Sequence, residues 1–198
     1  MNIGRPRKLE PDAILEIAMD VFWEKGYEAT SIADILRATG LHKGSLYQTF
    51  GDKKTLFIAC LESYQDQMFQ KSKKIIDSES DPIVGLKKSL YEMLSLSCTH
   101  GQCSNKGCMA VNTLVETAPH DDEIRMILEK NDHKFQVYMI ELLEKAQNDF
   151  GYQLKFPPEA MFGLLMTFMC GLSSVLKNMI SVDEGHQLLE TQLQLLGL

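Results

Sequence analysis

Apolar side chains in this chain return every three to four positions, and no stretch alternates over the length of a strand. That periodicity belongs to amphipathic helices and excludes a sheet as the organising element. Ile14, Ile17, Ala18, Val21 and Phe22 form one stripe between Pro11 and Gly26, residues suited to opening and closing a helix. Two short helices are predicted next, one starting at Thr30 or Ser31 and ending at Gly40, the other covering residues 43–49. Asp52 then caps a long helix with Leu56, Phe57, Cys60, Leu61, Tyr64 and Met68 on one side. Asp81-Pro82 restarts a helix, another runs from Cys108 to Thr117, Pro119 opens a long one ending at Gly151, and Pro157-Pro158 opens an uncharged one. Ser181 with Glu184 makes a capping box for the last. The expected fold is all-α: an N-terminal three-helix domain over residues 1–55 and a C-terminal helical effector and dimerisation domain over 56–198.

Charge narrows the partners. The net charge is −7, which argues against nucleic acid until its distribution is considered. Residues 1–55 hold eight Lys/Arg against eight Asp/Glu, so the acidic surplus lies downstream, and Arg5, Arg7 and Lys8 open the chain without an acid among them. Phosphate binding depends on local charge, and DNA stays open as a partner. Five cysteines are an odd number, and the start lacks an apolar signal segment. Free thiols in a reducing cytoplasm are expected. The uncharged run from Ala160 to Leu176 falls slightly short of a membrane span and contains Gly163, Gly171, Ser173 and Ser174. A helix buried on most sides is expected there, with no membrane partner.

The segment from Thr30 to Phe50 carries the functional signal. Two short helices flank a turn at Thr39-Gly40-Leu41, the spacing of a helix-turn-helix. Ile35, Leu41 and Leu46 can close its core, while Lys43, Ser45, Gln48 and the Tyr47 hydroxyl project as a polar face able to reach phosphates and base edges. Spacing alone leaves a plain helical hairpin equally open.

The residues decide it by resemblance. Thr30, Ile32 and Ala33, then Gly40-Leu41-His42-Lys43-Gly44-Ser45-Leu46-Tyr47, Phe50 and Asp52-Lys53-Lys54, resemble the signature of the TetR family of bacterial transcription regulators. Phe22 to Thr30 also resembles that family, so the likeness covers about residues 10–60. The family often has Ser where this chain has His42, a departure that bears on sequence preference. The resemblance implies a dimeric regulator of double-stranded operator DNA, a repressor released by a small-molecule effector, with no cofactor. It also implies that Thr30 and Ser31 sit near backbone phosphates at a helix N-terminus and that Tyr47 and Lys53 reach phosphates. By the same resemblance Lys43, Gly44, Ser45 and Gln48 lie nearest the bases, and His42 can donate to a phosphate or a base.

For the dimer, Met161, Leu165, Phe168, Leu172, Val175, Leu188, Leu189, Leu193 and Leu196 offer apolar surface for a four-helix bundle between subunits. A ligand cavity would be lined by Tyr64, Met68, Met93, Cys108, Met109, Asn112, Glu116, Phe135, Tyr138, Phe162 and Met166. The loop holding Cys98, His100, Cys103 and Cys108 admits three readings: a structural one, a thiol sensor beside Lys106, and a soft-metal site. Its spacing lacks a tight Cys-x-x-Cys pair. An enzyme is disfavoured, because no nucleophile elbow, phosphate loop or His-Glu-x-x-His pattern occurs. A chromosome-coating dimer without an effector shares the helix-turn-helix and stands as the second alternative.

Overall fold

The computed structural model describes residues 10–95, 106–177 and 179–198, so the basic residues at positions 5–8 and Cys98, His100 and Cys103 lie outside it. Among the described residues all regular structure is helical, and the chain forms two compact units that divide after Tyr64.

The first unit contains α1 (Pro11–Lys25), α2 (Ile32–Thr39), α3 (Lys43–Phe50) and the opening turns of α4 (Lys53–Asp77). Pro11 sits in the first turn of α1, where its missing N–H costs nothing. Gly26 ends α1 with φ 85°, its N–H bonded to the Phe22 carbonyl. Ile14, Ala18, Phe22, Ile35, Leu46, Leu56, Phe57, Cys60 and Leu61 form the core, each almost wholly buried. The Phe22 and Phe57 rings meet edge to face at 5.0 Å, so truncating Phe22 to Ala should cost about 3–5 kcal/mol. This packing extends the unit beyond the expected boundary at residue 55. Cys60 Sγ lies 3.7 Å from the Leu15 carbonyl oxygen, and the Tyr64 ring stands edge-on to Trp23 at 5.0 Å.

The second unit holds the rest of α4, with α5 (Pro82–Ser95), α6 (Met109–Glu116), α7 (Asp122–Phe150), α8 (Pro158–Leu176) and α9 (Val182–Leu196). Its caps follow the sequence. Asp81 accepts from the Ile83 amide at 2.8 Å, and Ser181 and Glu184 complete a capping box. Pro119 does not open α7: it lies in a 3-10 turn (Ala118–His120), and Asp121 caps α7 by accepting from the Glu123 and Ile124 amides. Leu86, Leu90, Met139, Leu143, Met161, Leu165, Leu172, Leu189 and Leu193 build the core from α5, α7, α8 and α9. At Gly85 a Cβ would lie 2.7 Å from the Ile76 carbonyl oxygen, so α4 and α5 can meet this closely only at a glycine. The buried Ser72 and Ser89 hydroxyls share a 2.6 Å hydrogen bond on the same pair of helices.

Candidate nucleic-acid interface

The turn between α2 and α3 is set by Gly40, which takes the left-handed φ of 68° and returns its N–H to the Leu36 carbonyl. Thr39 reinforces it, donating its hydroxyl to Ile35 O at 2.8 Å and accepting from the Leu41 amide. Ile35 and Leu46 are buried on either side of the turn and hold the two helices at their angle, with Leu41 half-buried beside them.

Burying Leu46 orients the rest of α3 outward. His42, Lys43, Gly44, Ser45, Tyr47, Gln48 and Thr49 are all exposed. The α3 N-terminus lacks a side-chain cap, because the His42 imidazole makes no cap bond. Its orphan amides therefore face solvent together with the positive end of the helix, an arrangement suited to an anion. Gly44 is informative. It sits inside a helix, where glycine costs roughly 0.5–1 kcal/mol relative to alanine, yet a Cβ there would meet nothing within 4 Å. The protein's own packing does not require it; close approach by another molecule would.

Cations flank this face on aromatic supports. Lys43 Nζ lies 5.6 Å from the centre of the Tyr47 ring, and Lys53 Nζ lies 4.3 Å above Tyr27. Asp52 caps α4, accepting from the Thr55 amide at 2.8 Å and from its hydroxyl, and these bonds hold its carboxyl below the usual carboxylate range.

The start of α2 is closed by bonds within the protein. Thr30 is 1% exposed and donates its hydroxyl to Gly26 O at 2.6 Å. It closes the α1–α2 connection, with its hydroxyl turned away from solvent. Ser31 is exposed, but its hydroxyl belongs to a capping box with Asp34. The Lys25 ammonium at 2.8 Å, followed by the Ser31 hydroxyl and amide, holds the Asp34 carboxyl far below its ordinary range. A carboxylate thus already occupies the start of α2.

The expected ligand residues fall into separate places. Tyr64 belongs to the core of the first unit, packed on Trp23. In the second unit Phe135 and Phe162 approach at 6.2 Å. Phe69, which the sequence reading passed over, joins them, 6.4 Å from Phe135 and 5.7 Å from Tyr138. Met93 and Met166 pack half-buried against the same core, and Met68 is half-buried on α4. Around α6, Met109 is buried, Cys108 and Glu116 are half-buried, and Asn112 donates to Lys106 O at 2.9 Å. A cleft of about 660 Å³ lies elsewhere, lined by Lys71, Lys74 and Ile75 of α4 and Lys88, Tyr91 and Ser95 of α5. None of the expected residues lines it.

Helix α8, whose one charge is Glu159 in its first turn, is long and apolar enough to cross a membrane, but it is not buried on most sides as expected. Met161, Phe162, Leu165, Met169, Leu172 and Leu176 face the core. Ala160, Gly163, Leu164, Thr167, Gly171 and Ser174 form an exposed row without a charge. Leu188, Thr191 and Leu195 make a similar row on α9. Most of the expected dimer set is therefore corrected. Met161, Leu165, Leu172, Leu189 and Leu193 are each 3% exposed or less, and Leu196 is 4%, all covered by the chain's own helices. Phe168 and Val175 are half-buried, and Leu188 is 45% exposed.

Comparison with known proteins agrees with this architecture. Residues 14–60 match the family profile described as bacterial regulatory proteins, tetR family. The chain is 30% identical over 195 residues to the HTH-type transcriptional repressor ComR of Escherichia coli K12, covering 98% of this chain and 89% of ComR. It is 25% identical to a cysteine-substituted variant of the TetR family transcriptional regulator CifR, solved with a 26-base-pair operator duplex. That likeness has a TM-score of 0.83 and covers 96% of this chain and 98% of CifR. A regulatory protein TetR from Rhodobacter sphaeroides shares the fold at TM-score 0.82 and 21% identity, over 91% of this chain and 95% of the other. With a helix-turn-helix followed by a helical second unit, the chain belongs to the TetR family and is a DNA-binding transcription regulator.

Proposed function

We propose that this regulator is a homodimeric cytoplasmic repressor that holds operator DNA through α3 and leaves it when a small molecule binds the second unit. It has no catalytic role in this reading. The observation that carries the DNA half is the vacant space around Gly44 on an otherwise polar, exposed α3. Lys43, Ser45 and Gln48 on that face supply donors and acceptors for base edges, with His42 at its start tuning sequence preference. Tyr47 and Lys53 supply sequence-independent phosphate contacts.

The dimer half is supported by the exposed rows on α8 and α9. A charge-free row of small residues lets two helices approach closely, and Leu164, Leu188 and Leu195 add apolar area. Two subunits related by a two-fold axis would present two α3 helices to half-sites about one helical turn apart. For the effector, the Phe69, Phe135, Tyr138 and Phe162 rings favour an apolar or aromatic small molecule. Among the described residues no group of three His, Cys, Asp or Glu side chains is placed to hold a metal ion.

The test is sequencing of the DNA retained by purified protein from a randomised pool. An inverted repeat should emerge, and Lys43→Ala and Gln48→Ala should each return an altered half-site. A pool without enriched sequence would instead favour a chromosome-coating dimer.

A further inference from the structure

The start of α6 is fastened to α8. The Cys108 amide donates to the Ser173 hydroxyl at 2.9 Å. Just before it, Gly107 takes φ +66°, and a Cβ there would lie 3.4 Å from the Ser173 carbonyl oxygen. Asn112 ties the turn down from within α6 by donating to Lys106 O. Cys170 precedes Ser173 by three residues on α8, hence on the same helical face. The second unit therefore brings two reduced, half-buried thiols, Cys108 and Cys170, to one helix contact. The Cys170 thiol is pushed up chiefly by burial, then by Cys108 and by Asp132 of α7, which places all three groups within electrostatic reach. Cys60 has no such setting: it is 0% exposed in the core of the first unit.

We infer that Cys108 and Cys170 form a peroxide-reactive dithiol site that closes into a disulfide joining α6 to α8. The effect on DNA rests on the repressor reading given above.

The two sulfurs have different roles. Cys108 stands at the N-cap position of α6, two residues after Lys106. Its sulfur attacks one peroxide oxygen, the O–O bond breaks, and a sulfenic acid forms as the other oxygen leaves as an alcohol, or as water from hydrogen peroxide. The Cys170 sulfur then attacks the sulfenic sulfur. The S–S bond forms, and the hydroxyl leaves with the Cys170 proton as water. Two thiols and one peroxide become one disulfide, one water and one alcohol, the sulfurs losing two electrons and the O–O bond accepting them. A bridge here pins α6 against α8 in the unit proposed to hold the effector.

The test uses the full-length protein carrying Cys98→Ser and Cys103→Ser, treated with hydrogen peroxide, blocked with N-ethylmaleimide and digested without reductant. Mass spectrometry should find the Cys108 peptide bonded to the Cys170 peptide. Dithiothreitol should reverse the bond, and Cys108→Ser, Cys170→Ser and Cys170→Ala should each abolish it while keeping the parent's melting temperature. Affinity for the duplex selected from the random pool should fall at least tenfold on oxidation and recover on reduction. A Cys108 that proceeds to sulfinic acid with Cys170 still alkylated would overturn the dithiol site. So would bridging in the parent only to Cys98 or Cys103. A bridge that forms without changing affinity overturns the regulatory half. If the bridge forms but the reduced protein selects no sequence, the repressor reading fails and the dithiol site stands.

Discussion

Lys53 Nζ stands 4.3 Å above the centre of the Tyr27 ring, so the first residue of α4 rests its charge on an aromatic face supplied by the α1–α2 connection. The ring restrains the side chain without consuming its hydrogen-bond donors, which stay available to a phosphate. Lys53→Ala should weaken binding to all DNA sequences alike and lower the slope of log affinity against log salt by about one. Tyr27→Leu should weaken binding less and leave the slope near the parent's, because the charge remains. Anisotropy titrations between low and moderate salt would check both.

The exposed row of α8 makes a contrast between neighbours on one helix. Leu164 is 41% exposed and Leu172 only 3%. Leu164→Glu should leave the melting temperature of the isolated chain nearly unchanged yet halve the mass seen by light scattering. Operator affinity should fall with it, since a monomer loses the second half-site. Leu172→Glu buries an unpaired charge and should unfold the second unit, a loss of roughly 4 kcal/mol or more. An intact dimer in the Leu164 variant would place the interface away from this row.

Asp34 gives a pH prediction with a definite sign. Its folded-state carboxyl is held far below the ordinary value, first by the Lys25 ammonium and then by Ser31. A group depressed on folding contributes stability above its unfolded pKa, near 3.8, and loses it as pH falls toward the folded value. Asp34→Ala should therefore melt earlier than the parent at neutral pH. The gap should narrow progressively below about pH 4. A gap independent of pH would contradict the depressed Asp34 carboxyl and both of its causes, Lys25 and Ser31.

How far the sequence was legible follows from what periodicity can encode. The helices, the Gly40 turn and the Ser181 capping box were readable because each rests on local backbone chemistry. The inward bond of Thr30 is not legible, because nothing local distinguishes a hydroxyl turned back to Gly26 O from one facing solvent; only the α1–α2 packing does. Tyr64 follows the same rule, since its partner Trp23 lies on another helix. On α8 and α9, apolar periodicity marks the face that meets the chain's own core, so it selected Met161, Leu165, Leu189 and Leu193. The outward row of Gly163, Thr167, Gly171 and Ser174 is made of small and hydroxyl residues and carries no hydrophobic signal. Phe69 escaped because its partners Phe135 and Tyr138 lie far along the chain.

The most direct test of α3 as the DNA-reading surface is operator affinity of Gly44→Ala, measured beside its thermal melt. A Cβ at this position meets nothing in the protein, so alanine should stabilise α3 by about 0.5–1 kcal/mol and raise the melting temperature by a few degrees. In the proposed complex the same methyl group would occupy space given to the bound DNA. The account predicts a more stable protein whose affinity falls at least tenfold. A stabilised variant with the parent's full affinity would contradict it, placing the DNA on another surface.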